Sequence, residues 1–226
     1  MPNLPLLLGH RGTGFSALVA ENSFLAFDTA LEHGCDGFEF DVRVTGCGRA
    51  VTCHDVEVRG ITVARAEADE LTDLPVLEDV LLRYGSRAFL DIELKVGGIE
   101  SKVLTALREH PPERGFVVSS FIPEILLDLQ LRSATVPTGI ICEKASQLTR
   151  ARTLDASFMI VHRSLIDREL VREMHEAGKK IFVWTLNDKD TMLRHADWGV
   201  DGIISDDTQL LVRTFYGDQP RSRGKT

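Results

Sequence analysis

Short apolar runs alternate with stretches of helical periodicity along this chain. About eight such pairs follow one another along the 226 residues, which is the pattern of repeated strand and helix units. Because right-handed crossovers bring each new parallel strand back beside the sheet, eight units predict a closed (β/α)8 barrel, the TIM barrel. The predicted strands are Leu6–Gly9, Phe38–Val42, Phe89–Leu94, Phe116–Ser119, Thr138–Cys142, Phe158–Val161, Lys180–Thr185 and Gly202–Ser205.

The same pattern predicts one barrel domain over residues 1–216, with a short insertion around residues 55–75. After Tyr216 the sequence GDQPRSRGKT offers almost nothing to bury. We therefore expect residues 217–226 to form a flexible tail.

Charge and cysteine content narrow the possible partners and compartment. A formal net charge of −8 argues against nucleic acid, which needs concentrated Lys and Arg, and no apolar stretch is long enough to predict membrane insertion. We therefore expect a small-molecule partner, and the oligomeric state stays open. Four cysteines without CxxC spacing or a secretory context predict reduced thiols and a cytoplasmic protein, with a Cys47–Cys53 disulfide as the alternative.

Two predicted strands carry acids where a parallel barrel is normally apolar. In GFEFDV, alternation sends Glu39 and Asp41 to the face opposite Phe38 and Phe40. In FLDIELK it likewise points Asp91, Glu93 and Lys95 inward. Strands that are covered on both faces usually have continuous apolar sequences. Burying these acids is therefore costly unless partners neutralise them or they serve a function.

Two interpretations fit the inward acids. Glu39, Asp41 and Glu93 at adjacent strand ends would be hard oxygen ligands for one divalent cation, Mg²⁺ or Ca²⁺, rather than for zinc. The alternative is a buried ion network, in which Lys95, Arg11 or Arg43 neutralises them. Because both strands repeat the arrangement near histidines, the functional site is favoured.

Histidines accompany these acids at two predicted strand ends. His10 and Arg11 follow the apolar run Leu6–Leu8 and are flanked by Gly9 and Gly12, and His54 follows the short run AVTC. In TIM barrels the catalytic residues lie at the carboxyl ends of the strands. We therefore expect His10 and His54 to share the rim with the acids.

These residues resemble a known family, the glycerophosphodiester phosphodiesterases. The resemblance covers most of the chain, and the ordered set of motifs is more specific than any one of them. The motifs are GHRG (9–12), ENS (21–23), GCDGFEFDVRVT (34–45), HD (54–55), LPVLEDVL (74–81), LDIELK (90–95), SSF (119–121), VWTLND (183–188) and DGIISD (201–206).

The resemblance implies a TIM barrel and a role for each site residue. It implies one cation held by Glu39, Asp41 and Glu93, catalytic histidines at His10 and His54, and a phosphate clamp made by Arg11 and Lys95. It further implies that Glu21 and Asn22 support the rim and the metal ligands, and that Phe121 and Trp184 line the substrate pocket around the alcohol.

The expected function is metal-dependent hydrolysis of glycerophosphodiesters to glycerol 3-phosphate and an alcohol, with the paired histidines as general acid and base. The first alternative is a phospholipid hydrolase of the sphingomyelinase D or lysophospholipase D type. The second is a non-catalytic barrel that binds a phosphorylated ligand.

Overall fold

Eight parallel strands close into a barrel in the computed structural model, which describes residues 4–14 and 18–217. The barrel closes where the first strand pairs with the last, Leu6 opposite Gly202, and with the second, Leu8 opposite Gly37. The predicted (β/α)8 TIM barrel is confirmed. Its strands are β1 (Leu6–Gly9), β2 (Gly37–Val44), β6 (Phe89–Leu94), β7 (Phe116–Ser120), β8 (Thr138–Cys142), β9 (Phe158–His162), β10 (Lys180–Trp184) and β11 (Gly202–Ser205).

Eight α-helices surround the barrel within the part of the chain that the structure describes. They are α1 (Phe24–His33), α2 (Leu77–Tyr84), α3 (Glu100–Glu109), α4 (Pro123–Arg132), α5 (Ala145–Thr153), α6 (Arg168–Glu176), α7 (Lys189–Trp198) and α8 (Thr208–Tyr216). From the sequence, α1 is expected to begin at a cap on Asn22 or Ser23 and to stop at Gly34. Ser23 is the cap: its hydroxyl accepts from the Ala26 N–H at 3.2 Å, and Gly34 ends the helix with φ 103°.

Alternation along each strand divides the apolar residues between two cores. Residues such as Phe38, Phe40 and Ile92 point outward and pack with the helices in the larger core. A smaller core fills the inside of the barrel with Leu8, Phe89, Val117, Ile141, Phe158, Ile160, Phe182 and Ile204. Along β6 the inward residues change from Phe89 to Asp91 and Glu93, so the carboxylates lie on the C-terminal side of this apolar filling.

The segment after β2 builds a small structure of its own beside the barrel mouth. Strand β3 (Ala50–Thr52) pairs antiparallel with β2, and the two-residue strands β4 (Glu57–Val58) and β5 (Ile61–Thr62) form a hairpin. A satellite apolar cluster under this hairpin contains Val51, Cys53, Val63, Ala66 and Leu71.

Two further expectations concern the thiols and the tail. All four cysteines are free, so the alternative of a Cys47–Cys53 disulfide is wrong. The predicted tail at 217–226 lies outside the described residues except for Gly217. None of the helices within 4–14 and 18–217 combines the length and the apolar character that crossing a membrane requires.

Candidate active site

The pairing of β2 with β6 assembles a carboxylate cluster. The two strands are in a register that sets Glu39 beside Asp91 and Asp41 beside Glu93. Glu39, Asp41 and Glu93 are all buried, and each offers one oxygen within 4.8 Å of the oxygens of the other two. Three carboxylate oxygens at this spacing form a suitable set of hard ligands for one cation.

Asp41 is the best neutralised of the acids. Its carboxylate lies 3.2 Å from Lys95 Nζ and 3.3 Å from Arg11 Nε, and it accepts a 2.8 Å hydrogen bond from Asn22 Nδ2. Burial opposes its ionisation, but these two cations and the Asn22 hydrogen bond outweigh burial, and the pKa of Asp41 lies below its ordinary value.

Glu39 is in the opposite situation. Its Oε2 accepts from the Arg11 backbone N–H at 2.9 Å, whereas its buried Oε1 has no hydrogen-bond partner within the described part of the chain. Burial, followed by the charges of Asp41 and Glu93, raises the pKa of Glu39 well above its ordinary value. Burial also raises the pKa of Glu93, although Lys95 Nζ lies 2.6 Å from it, and that of Asp91 to about 7.

The charge balance of the cluster fits a divalent cation. Within the described residues, Arg11 and Lys95 are the Arg and Lys side chains that pair with the four carboxyl groups of Glu39, Asp41, Asp91 and Glu93, and they do so through Asp41 and Glu93. The unpartnered oxygen of Glu39 and the raised pKa values express the excess of negative charge. A doubly charged ion held by oxygen ligands would remove this excess, so the residues present suit such a group.

His10 follows β1 on a tight turn. A Cβ at Gly9 would lie 1.7 Å from the Gly12 carbonyl oxygen, and Arg11 has φ 51°, which explains why small residues flank the His10–Arg11 pair. The turn brings His10 Nε2 to 3.9 Å from Glu39 Oε2, and His10 Nδ1 lies 2.6 Å from Asp206 Oδ1.

His54 enters from the other side, directly after β3. Its Nδ1 lies 2.9 Å from the exposed Asp55 carboxylate, and its carbonyl accepts a 2.8 Å hydrogen bond from Arg43 Nε. Arg43 therefore positions the His54 backbone and forms no ion pair with the cluster. Of the three cations in the ion-network interpretation, only Arg11 and Lys95 pair with the buried acids.

A cavity of about 290 Å³ opens above the cluster. Its charged and imidazole side is lined by His10, Arg11, Glu39, His54, Asp91, Glu93 and Lys95, and its apolar side by Phe121, Ile141, Ile160, Trp184 and Ile204, with Glu143 as the one acid there. Phe121 and Trp184 meet edge to face at 5.8 Å, and Lys95 Nζ lies 5.6 Å from the Phe121 ring. Such a cavity suits a small molecule with an anionic centre and an attached organic group.

Most of the residues singled out in the sequence meet at this cavity. His10, His54, Arg11, Lys95, Glu39, Glu93, Phe121 and Trp184 all line it. Asp41, Glu21 and Asn22 stand behind the lining: Glu21 accepts from Arg11 through both oxygens at 3.0 Å, and Asn22 exchanges two hydrogen bonds with Asp41.

Sequence reasoning missed two polar residues beside the site. Asp206 contacts His10, and Asn187 Nδ2 donates to Asp206 at 2.7 Å. Both belong to motifs already singled out, VWTLND and DGIISD. A signal was therefore present, since each motif follows a predicted strand whose end reaches the same rim.

Comparison with known proteins agrees with this geometry. The model of the Glycerophosphoryl diester phosphodiesterase family matches residues 10–92 and 79–210. The glycerophosphodiester phosphodiesterase of Caldanaerobacter subterraneus subsp. tengcongensis is 31% identical over 235 residues, covering 92% of this chain and 96% of the relative.

Solved structures share the fold along nearly the whole chain. A glycerophosphodiester phosphodiesterase from Thermotoga maritima superposes with a TM-score of 0.75 at 26% identity, covering 93% of this chain and 98% of that one. A phosphodiesterase from Oleispira antarctica, solved with the product sn-glycerol-3-phosphate, superposes with a TM-score of 0.80 at 24% identity over 93% and 96%. With the family model matched over most of its length, this chain belongs to the glycerophosphoryl diester phosphodiesterase family.

Proposed function

We propose that this protein hydrolyses glycerophosphodiesters to glycerol 3-phosphate and an alcohol, using one divalent cation. The observation that carries the proposal is the cluster of Glu39, Asp41 and Glu93, whose oxygens lie within 4.8 Å of one another beside two histidines and two cations. Family membership supports the substrate class, since the matched relative from Caldanaerobacter is a glycerophosphodiester phosphodiesterase.

Glu39, Asp41 and Glu93 would hold the cation, which is Mg²⁺ or Ca²⁺ by the chemistry of an all-oxygen ligand set. When bound, it supplies Lewis-acid charge for a phosphoryl oxygen. Arg11 and Lys95 add positive charge on the same side of the cavity, where the transition state gathers negative charge. Carboxylates hold both cations in position. Arg11 pairs with Glu21 and Asp41. Lys95 pairs with Glu93 and Asp41.

The two imidazoles act as general acid and general base. As the phosphorus–oxygen bond to the alcohol breaks, one histidine donates a proton to the leaving oxygen, and the other removes a proton from the attacking hydroxyl. The family resemblance suggests that the neighbouring glycerol hydroxyl attacks first and forms a cyclic phosphate, which water then opens. The position of both histidines in the lining of the cavity supports this assignment.

The apolar side of the cavity would receive the alcohol. Phe121 and Trp184 form its aromatic wall, and Ile141, Ile160 and Ile204 form its floor. Hydrolysis of lysophospholipids or sphingomyelin is the alternative use of this same machinery.

We also propose that the protein works in the cytoplasm. Its four cysteines are free, and one of them, Cys47, is exposed, which suits a reducing compartment.

The test is turnover of a panel of diesters by purified protein stripped of metal and reloaded with Mg²⁺ or Ca²⁺. We expect release of glycerol 3-phosphate from glycerophosphocholine or a related water-soluble diester, and complete loss of activity with EDTA. Faster turnover of lysophospholipid or sphingomyelin would favour the phospholipid alternative. Binding without product in any arm would contradict the proposal and favour a non-catalytic barrel.

A further inference from the structure

A series of hydrogen bonds connects the end of β11 and the loop after β10 to His10. The proposed chemistry assigns no role to it. Asp206 Oδ1 lies 2.6 Å from His10 Nδ1, and Asp206 Oδ2 accepts from Asn187 Nδ2 at 2.7 Å. Asn187 Oδ1 in turn accepts from the Asp206 backbone N–H and from Ser205 Oγ, both at 3.0 Å. The series is continuous from the backbone to the imidazole.

The orientation of Asn187 is forced. A backbone N–H can only donate, so the atom of Asn187 that faces Asp206 N is its oxygen, and its amide nitrogen must therefore face the Asp206 carboxylate. Both carboxylate oxygens of Asp206 are thereby committed, one to Asn187 and one to His10.

The contact fixes one tautomer of His10. Burial opposes ionisation of Asp206, but the hydrogen bonds from His10 and Asn187 hold its pKa below the ordinary value, so it is an acceptor-only carboxylate at neutral pH. Its partner, Nδ1 of His10, must then carry the proton. The other nitrogen, Nε2, faces the cluster, 3.9 Å from Glu39 Oε2.

His54 lacks a comparable arrangement. Its Nδ1 contacts Asp55, the next residue in the chain, whose side chain is 72% exposed, and no second side chain braces that carboxylate among the hydrogen bonds of the described residues. The two histidines therefore differ in how firmly their rings are held.

We propose that Asp206 and Asn187 are positioning residues that hold His10 with Nδ1 protonated and Nε2 directed at the reacting phosphodiester. The inference rests on the proposed function, because His10 must act on substrate for its tautomer to affect turnover. It is the same logic by which an acid orients the histidine of a catalytic triad.

The test is an exchange of the two side chains. In Asp206→Asn, the fixed Asn187 Nδ2 donates a hydrogen bond to the new amide oxygen. The new amide nitrogen therefore faces His10 Nδ1 and donates to it. The imidazole proton must then lie on Nε2. We expect kcat to fall by about 100-fold or more, the lower end of what a general acid or base contributes, with KM little changed.

The double variant Asp206→Asn/Asn187→Asp restores every hydrogen bond, and only the one between the side chains at 206 and 187 runs in the opposite direction. The carboxylate at 187 accepts from the new amide, whose oxygen then turns to His10 Nδ1 and recovers the original tautomer. We expect its kcat to exceed that of the single variant by about tenfold or more. A merely structural role for Asp206 would not produce this rescue.

The matched control is Asp207→Asn. Asp207 is the adjacent acid, but its side chain caps α8 by accepting from the Leu210 N–H, and Asn caps as well as Asp does. We expect this variant to keep wild-type kcat.

The tautomer itself is read from the nitrogen-15 shifts of His10 in metal-free protein, assigned by comparison with a His10 variant. We expect Nδ1–H in the wild type and the double variant and Nε2–H in Asp206→Asn. If Asp206→Asn fails to fold, Asn187→Ala removes the brace alone and should lower kcat by about tenfold.

Wild-type kcat in Asp206→Asn or in Asn187→Ala, an unchanged tautomer, or a folded double variant no more active than the single one would each overturn the inference. If the wild-type protein hydrolyses no diester, the proposed function fails instead, and the nitrogen-15 measurement still decides the positioning role because it needs no turnover.

Discussion

The four buried acids of the site differ in what their oxygens contact, and this difference decides their roles. Asp41 is neutralised by Lys95 and Arg11, and one oxygen of Asp91 accepts from Ser119 Oγ at 2.6 Å. Glu39 Oε1 and Asp91 Oδ2 are buried without a hydrogen-bond partner among the described residues. Leaving a buried carboxylate oxygen unpaired is costly. Of these two acids only Glu39 belongs to the set whose oxygens lie within 4.8 Å of one another, so we expect Glu39 to gain most from a cation bound there.

We expect Glu39→Gln to lower the affinity for Mg²⁺ or Ca²⁺ by at least about tenfold, because it removes one of three charged ligands. Isothermal titration of the metal-free protein measures this. Asp91→Asn is the control: Asp91 lies next to Glu39 in the strand register but outside the set that shares 4.8 Å spacing, and it should bind the cation much as the wild type does. Equal losses in the two variants would contradict the ligand assignment.

His195 gives a pH-dependent contribution to stability away from the site. The ring is buried, its Nδ1 lies 2.6 Å from the Thr191 carbonyl oxygen, and its Nε2 has no hydrogen-bond partner among the described residues. Burial lowers the pKa of His195, so below about pH 6.5 the unfolded chain binds a proton that the folded protein does not. The free energy of unfolding therefore falls as pH falls through this range.

We expect His195→Gln to reduce this slope by up to about 1.4 kcal/mol per pH unit. Urea unfolding at pH 7.5 and 5.5 measures the slope. An identical slope in the wild type and the His195 variant would rule out this linkage.

At the scale of elements, periodicity predicts the barrel strands within about two residues, because each is an apolar run bounded by turn residues. The strand predicted as Lys180–Thr185 ends one residue earlier, at Trp184, and that predicted as Phe38–Val42 extends to Gly37 and Val44. Inward acids on β2 and β6 follow from alternation alone. The β4–β5 hairpin does not, since two-residue strands are too short to show a period.

The packing of strands leaves no room for a side chain at the start of β2. A Cβ at Gly37 would lie 1.8 Å from the Phe89 carbonyl oxygen on β6. We expect Gly37→Ala to destabilise the protein by about 3 kcal/mol or more, which lowers Tm by roughly 6–12 °C for a chain of this size.

Gly97→Ala is the matched control, because its nearest atom would be Glu100 Oε1 at an ordinary 3.4 Å. Calorimetry of both variants measures the two shifts. A Tm for Gly37→Ala as high as that of the control would show that the strands can separate at no cost.

At the scale of the whole molecule, the sequence motifs indicate which residues meet at the barrel mouth but not which of them touch. The contact between His10 and Asp206 joins residues 196 positions apart, and no local pattern encodes it. The ion pair between Arg11 and Asp41 likewise joins residues that are brought together only by the packing of β1 beside β2.

Metal binding should stabilise the whole barrel, because the cation relieves repulsion between β2 and β6. At a free metal concentration a hundred times Kd, the linkage contributes about 2.7 kcal/mol. We expect EDTA to lower Tm by roughly 5–11 °C, measured by calorimetry with and without excess chelator. In Glu39→Gln the same treatment should change Tm far less. A chelator effect of equal size in that variant would place the cation elsewhere.

Barrel closure between β1 and β11 also sets when a newly made molecule can work. The ribosome adds about 5–20 residues per second, so roughly 10–40 seconds separate the synthesis of His10 from that of the carboxylate that steadies it. Until its last strand has left the exit tunnel and docked on the first, a nascent chain lacks the contact between His10 and Asp206 and has an open rim, so we expect it to be catalytically silent.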